Sequence, residues 1–132
     1  MNEHGFVKKV RKKLRETKKL RRIWKINDNF QGGIPDAYYL ASNDLWIEYK
    51  YLPRLPKRGS TVIVPEVSEL QYGWLEDLQA GGNSAWIVVG HPGKVWMTDD
   101  LELCKQGIPC STFVDQSIMV SDLVEQILHT CL

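Results

Sequence analysis

The first stretch of the chain repeats its inward positions at a helical interval. Glu3, Val7, Val10 and Leu14 stand at i, i+4, i+7 and i+11, the inner stripe of an amphipathic helix over about residues 3–19. The pattern then changes to strands. Residues 21–26 read as one strand, and residues 27–33 as a polar connection in which Gly32 and Gly33 would admit the close approach of a ligand. Ala37–Leu40 and Leu45–Lys50 flank the turn residues Ser42, Asn43 and Asp44 and predict a hairpin. Pro53, Pro56 and Pro65 exclude a helix from residues 51–67, where residues 60–64 supply a short strand. Ser68 and Gln71 fit a capping box opening a second helix with Leu70, Trp74, Leu75 and Leu78 inward, and Gly81-Gly82-Asn83 stops it. The unbroken apolar run of residues 85–90 predicts a central strand covered on both faces. After a His91-Pro92-Gly93 turn, residues 94–98 return as a strand, and Thr98 is placed to cap a short acidic helix from Asp99. A last helix over about residues 119–132 gathers Val120, Leu123, Val124, Ile127, Leu128 and Cys131 on one face, to pack on the core or on a second subunit.

Length and composition narrow the class. At 132 residues, with no linker and no internal repeat, one domain over residues 1–132 is expected. No apolar run reaches the length of a membrane span and no signal peptide opens the chain, so a soluble, intracellular protein is expected. Cys104, Cys110 and Cys131 are odd in number and lack paired spacing, which disfavours a disulfide framework or a zinc knuckle. The three histidines stand apart, giving no support to a histidine zinc site. The net charge of +1 conceals a division: eleven of the seventeen Lys and Arg lie in residues 1–25 against Glu3 and Glu16 alone. A polyanion such as nucleic acid would be drawn to that end, more weakly as salt rises. Lys8, Lys12 and Arg15 project from the solvated side of the first helix, and Arg54, Lys57 and Arg58 form a second basic cluster in the proline-rich loop. The alternative for both clusters is a solvated surface.

Asp36 opens the first strand of the hairpin, and Glu48 and Lys50 lie on the second, with Tyr49 between them. Alternation places Glu48 and Lys50 on one face, so a carboxylate and an ammonium can converge on one phosphate. A magnesium ion needs little more from a protein than one or two carboxylates. On this reading Asp36 and Glu48 hold Mg²⁺, with Mn²⁺ able to substitute, joined by the Tyr49 carbonyl, while Lys50 orients a water and stabilises developing charge. Glu3, the acid on the inner stripe of the helix, would hold a metal-bound water in the outer shell, or would only complement the helix dipole. Glu16 falls among the lysines and arginines and reads as a surface ion-pair residue. Gln71 is either a cap alone or a further group near the lysine or the phosphate, and Trp74 reads as core. The alternative for Glu48 and Lys50 is a cross-strand surface pair.

The order helix, strand, strand, strand, helix, strand, with Pro35-Asp36 and Glu48-Tyr49-Lys50 on the second and third strands, resembles the PD-(D/E)XK nuclease superfamily. Glu3, Gly33 and the Ser68-x-x-Gln71-x-x-Trp74-Leu75-x-x-Leu78 pattern bring residues 3–90 close to its VRR-NUC group, stand-alone phage and bacterial nucleases related to Holliday-junction resolvases. The resemblance implies an α/β restriction-endonuclease-like core, a mixed central sheet flanked by helices. It also implies a C-terminal helical extension over residues 91–132, which match nothing in the family. It implies a Mg²⁺-dependent deoxyribonuclease leaving a 5′-phosphate and a 3′-hydroxyl, with Asp36, Glu48, Lys50 and Gln71 in the active site. A homodimer acting on branched DNA, a Holliday junction or flap, is the foremost expectation. An exonuclease or nicking nuclease for genome processing, and a non-catalytic DNA-binding module, stand beside it.

Overall fold

The computed structural model describes residues 1–27 and 32–132, so most of the connection expected at residues 27–33 lies outside the described residues. Helix α1 (Glu3–Thr17) leads into strands β1 (Arg22–Lys25), β2 (Ala37–Leu40), β3 (Asp44–Tyr51) and β4 (Val62–Ile63). Helix α2 (Glu69–Ala80) is followed by β5 (Ser84–His91), β6 (Lys94–Thr98), α3 (Leu101–Gln106), β7 (Ile108–Pro109), α4 (Cys110–Gln116) and α5 (Val120–Cys131). The main sheet runs β1-β2-β3-β5-β6. All its pairs are antiparallel except β3 with β5, which are parallel and joined across one face by α2. This is the mixed sheet of a restriction-endonuclease-like fold.

Each strand sorts its residues between two apolar layers. Leu45, Ile47 and Tyr49 of β3, with Tyr39 and Val88, pack under Phe6, Val10 and Leu14 of α1 and under Leu123, Val124, Ile127, Leu128 and Cys131 of α5. Ala85, Ile87 and Val89 face the other way, against Leu75 of α2, Cys104 of α3 and Phe113 of α4. The apolar run of β5 is thus covered on both faces, as its sequence demands. Helix α1 lies so close that a Cβ on Gly90 would stand 2.7 Å from the Phe6 ring. The face of α5 packs on this sheet, so the choice posed between core and second subunit falls to the core, and all three cysteines are buried and free.

Several expectations are corrected. Leu70 is not part of the buried stripe of α2: it is 65 % exposed, because it sits in the first turn and overhangs the Gly32-Gly33 turn instead of facing the sheet. Gly33 does allow a close approach, but to that helix. Its φ is 89°, and a Cβ there would lie 2.6 Å from the Leu70 backbone, which excludes other residues on both counts. The cap of α3 is Asp100, whose side chain accepts from the Leu103 N–H, while Thr98 accepts from the Asp100 N–H one step earlier. Glu16 is exposed as expected, yet among the described residues it forms no ion pair within 4.0 Å. β7 and α4 answer to no pattern in the sequence. The short strand expected at residues 60–64 narrows to β4, which pairs with β7, and the Cys110 and Ser111 N–H groups donate to the Thr61 and Gly59 carbonyls. These bonds pin the proline-rich loop to α4.

Candidate active site

The site lies where the sheet is left incomplete. β2 pairs with β3 only as far as Ala37 opposite Ile47, whereas β3 continues to Tyr51 beside β5 alone. Continuing the register would set Pro35 opposite Tyr49, and proline has no N–H to donate. The Tyr49 N–H finds its acceptor in a side chain and not in the Pro35 carbonyl: Asp36 Oδ2 accepts it at 3.0 Å. In a strand the N–H and C=O of one residue point to the same side, so the Tyr49 carbonyl is aimed into the same gap with no ladder donor facing it from Pro35. Pro35, Asp36 and Tyr49 together hold a backbone oxygen and a carboxylate at the mouth of the opening.

Glu48 and Lys50 project from the next positions of β3 onto the α2 side. Glu48 is 1 % exposed. Its Oε2 lies 3.4 Å from the Lys50 ammonium and accepts from the Gln71 side-chain amide at 3.1 Å. The Gln71 Oε1 accepts from Lys50 at 3.2 Å and from the Ser68 N–H at 3.0 Å, while the Ser68 hydroxyl accepts from the Gln71 N–H. The two roles posed for Gln71 therefore coincide: the residue closes the capping box of α2 and ties that helix to Glu48 and Lys50.

Electrostatics set this cluster apart from a surface pair. Burial, and after it the charge on Asp36, push the Glu48 carboxyl up to about 8, and the pull of Lys50 does not offset them. Asp36 is raised by burial too, against the Tyr49 N–H, Glu48, Lys50 and Lys25. Glu3 is raised by burial and then by Asp36, although its side chain remains largely in solvent, which weakens the effect. Glu48 Oε1 is buried and meets no N–H or O–H donor of another residue, and the Glu48 and Asp36 carboxyls lie within hydrogen-bonding reach, so that a proton held on Glu48 bridges them. A buried carboxylate oxygen without an N–H donor, beside the half-buried Asp36 carboxyl, fits a divalent cation, since the ion would satisfy the oxygen and relieve the repulsion. Among the described residues no three or more His, Cys, Asp and Glu side chains converge as a metal cluster. The donors that could hold an ion are thus Asp36, Glu48 and the Tyr49 carbonyl, a set suited to a magnesium-like cation that keeps several waters.

Glu3 reaches the same place from the other side of the sheet. It lines a cavity of about 140 Å³ with His4, Val7, Arg11, Lys25 and Asp36. Lys8, Lys12 and Arg15 are exposed on α1, and Arg54, Lys57 and Arg58 are exposed in the loop, but none of the six lines this cavity. The cations that do are Arg11 and Lys25, which the sequence reading passed over. Arg11 was findable, since it continues the Glu3-Val7 line by four residues. Trp74 is half-buried and not fully core: it lines a groove with Trp24 and Trp46.

No protein-family model matches the sequence, and no curated protein matches it significantly. Among solved structures the chain is similar to Hjc of Archaeoglobus fulgidus, described as a Holliday junction resolvase from an archaeal hyperthermophile. The two share 15% sequence identity with a TM-score of 0.52, over 86% of this chain and 97% of that one. At that identity the likeness establishes a common fold, and it extends through most of the residues beyond 90 as well.

Proposed function

We propose that this chain is a divalent-metal-dependent nuclease of the PD-(D/E)XK type that hydrolyses phosphodiester bonds in branched DNA. The observation carrying this reading is the buried Glu48 oxygen without an N–H donor, held next to Asp36 and within reach of Lys50. Asp36, Glu48 and the Tyr49 carbonyl would hold Mg²⁺ or Mn²⁺, with Glu3 bonded to one of its waters. When bound, the ion polarises a phosphate oxygen and acidifies a water. Lys50 would orient that water and stabilise the negative charge that builds on the phosphoryl oxygens as the water oxygen bonds to phosphorus and the bond to the 3′ oxygen breaks, leaving a 5′-phosphate and, once the departing oxygen takes a proton from solvent, a 3′-hydroxyl. Gln71 fixes Lys50 and Glu48 relative to α2. Branched DNA is favoured over linear ends by the fold shared with a Holliday junction resolvase, and a homodimer would give each of two strands its own site. The basic first helix supplies phosphate contacts.

The test is cleavage of a labelled four-way junction, a flap and a plain duplex in Mg²⁺ or EDTA, beside the Asp36→Asn protein. Asn is the cleaner change, because Asp36 also accepts the Tyr49 N–H and an amide oxygen preserves that bond. Mg²⁺-dependent cutting confined to branched substrates and lost in Asp36→Asn is expected. Junction binding without cutting in any divalent metal would make the chain a DNA-binding module.

A further inference from the structure

On the α2 side of the sheet, three aromatic side chains lie in register across three strands. Trp24 of β1 is the partner of Tyr38 of β2, which is the partner of Trp46 of β3. The Trp24 and Tyr38 rings stand edge to face with centroids 6.2 Å apart, and the Tyr38 and Trp46 rings are tilted by 60° with centroids 4.7 Å apart. A row of this kind normally packs under a helix. Here Trp24 is 54 % exposed, and Trp24, Tyr38 and Trp74 stand outside both apolar layers. With Ile34 and Lys25, the three tryptophans line an open groove of about 550 Å³, in the range of sites that take one small planar ligand.

The groove is continuous with the candidate active site. Trp46 precedes Glu48 by two residues on the same face of β3, about 7 Å along the strand. Lys25, Ile26 and Asn27 form a common wall between the groove and the cavity that holds Asp36. A phosphate at the carboxylates would leave its neighbouring nucleotide beside the indoles, with the Lys25 cation between them.

We propose that this aromatic groove receives an unstacked nucleobase next to the scissile phosphate, so that the enzyme selects DNA in which a base is already free, as at a branch point. The inference rests on the nuclease reading above. Every base has a flat face to stack on an indole, so the groove recognises an unpaired base without reading its identity. In a continuous duplex that base is held in the stack, and unstacking it costs free energy that a branch point has already supplied.

The experiment compares binding and Mg²⁺-dependent cleavage of two flaps that differ only at the nucleotide beside the branch, one carrying thymine and the other an abasic site. The proteins are wild type, Trp24→Thr and Trp24→Phe. Wild type should bind the thymine flap about 5- to 150-fold more tightly, the range for stacking one base on an aromatic side chain. Trp24→Thr should lose most of that preference while holding the abasic flap as wild type does, and Trp24→Phe should regain much of it. Equal affinity of wild type for the two flaps, with cleavage intact, overturns the groove's role and leaves the nuclease standing. Failure to bind or cut either flap overturns both. A change from dimer to monomer on Trp24→Thr, measured by sedimentation, would show that the groove is covered by a second copy and likewise overturn the inference.

Discussion

The two faces of β3 each bury a polar pair, and they do so to opposite ends. On the α1 side, the Tyr39 and Tyr49 hydroxyls meet at 2.7 Å inside the apolar layer, so neither is left without a partner. Burial pushes the Tyr39 phenol up to about 12, where it stays neutral at any working pH. On the α2 side, Glu48 is equally buried, but one of its oxygens meets no N–H donor and has a second carboxyl, Asp36, beside it, and its proton comes off only near pH 8. A satisfied buried pair specifies packing, and an unsatisfied one stores affinity for something that is to arrive. One strand produces both because its side chains alternate.

The largest effect that would break this contrast is kinetic. Lys50→Ala should lower cleavage by on the order of 10²–10³-fold, the cost of losing one group that stabilises transition-state charge, with junction affinity nearly unchanged in a gel-shift titration. A Lys50→Ala protein that still cuts would return Glu48 and Lys50 to the status of a structural pair. Next is the pH dependence of stability without metal. Between the ordinary carboxyl value of 4.5 and about 8, the folded protein keeps a proton on Glu48 that the unfolded chain has released. Stability therefore falls as pH rises through that window, by on the order of a few kcal/mol. Thermal unfolding in EDTA should show the highest Tm near pH 5 and a decline toward pH 8. Glu48→Gln should flatten that decline, and Mg²⁺ should raise Tm more at pH 8 than at pH 5. A flat profile for the unmutated protein would contradict the burial argument.

The tyrosine pair sharpens the comparison from the other side. Tyr39→Phe strands the Tyr49 hydroxyl and should cost about 1–3 kcal/mol in denaturant unfolding, whereas the double change to Phe should recover most of it, because no polar group is then left alone. Cleavage should be unaffected in both. The smallest effect concerns the surface. Replacing Lys8, Lys12 and Arg15 with Gln should change the unfolding free energy by no more than about 0.5 kcal/mol and flatten the salt dependence of DNA binding by about 0.9 in log–log slope for each phosphate contact removed. An unchanged slope would put the DNA on another surface, where Arg11 and Lys25 already face Asp36.

What the sequence disclosed follows from the range of the forces involved. The capping box at Ser68 and Gln71, the hairpin around Ser42-Asn43-Asp44 and the alternation that puts Glu48 beside Lys50 are local, and all three are present in the fold. Leu70 departs from its expected place, and Phe6 joins the core from outside the expected stripe, because a helical stripe gives a direction but not what lies in that direction. Leu70 meets a glycine turn more than thirty residues away in sequence, and Phe6 fits only because Gly90 has no side chain. β7 and α4 form against the proline-rich loop, and no segment near them advertises that partner. The aromatic groove was illegible for the same reason. Trp24, Tyr38 and Trp46 look like three separate strand residues until the register of β1, β2 and β3 lines them up.

Pro35 gives the site its address. The sheet could have gone on zipping past Ala37, and every acid and lysine of the site would still have been present in the sequence. Pro35 cannot supply the amide hydrogen that the next ladder pair would use, and the gap beyond Ala37 is where the candidate site lies. The chemistry proposed for Asp36, Glu48 and Lys50 would owe its place to a residue that is assigned no part in it.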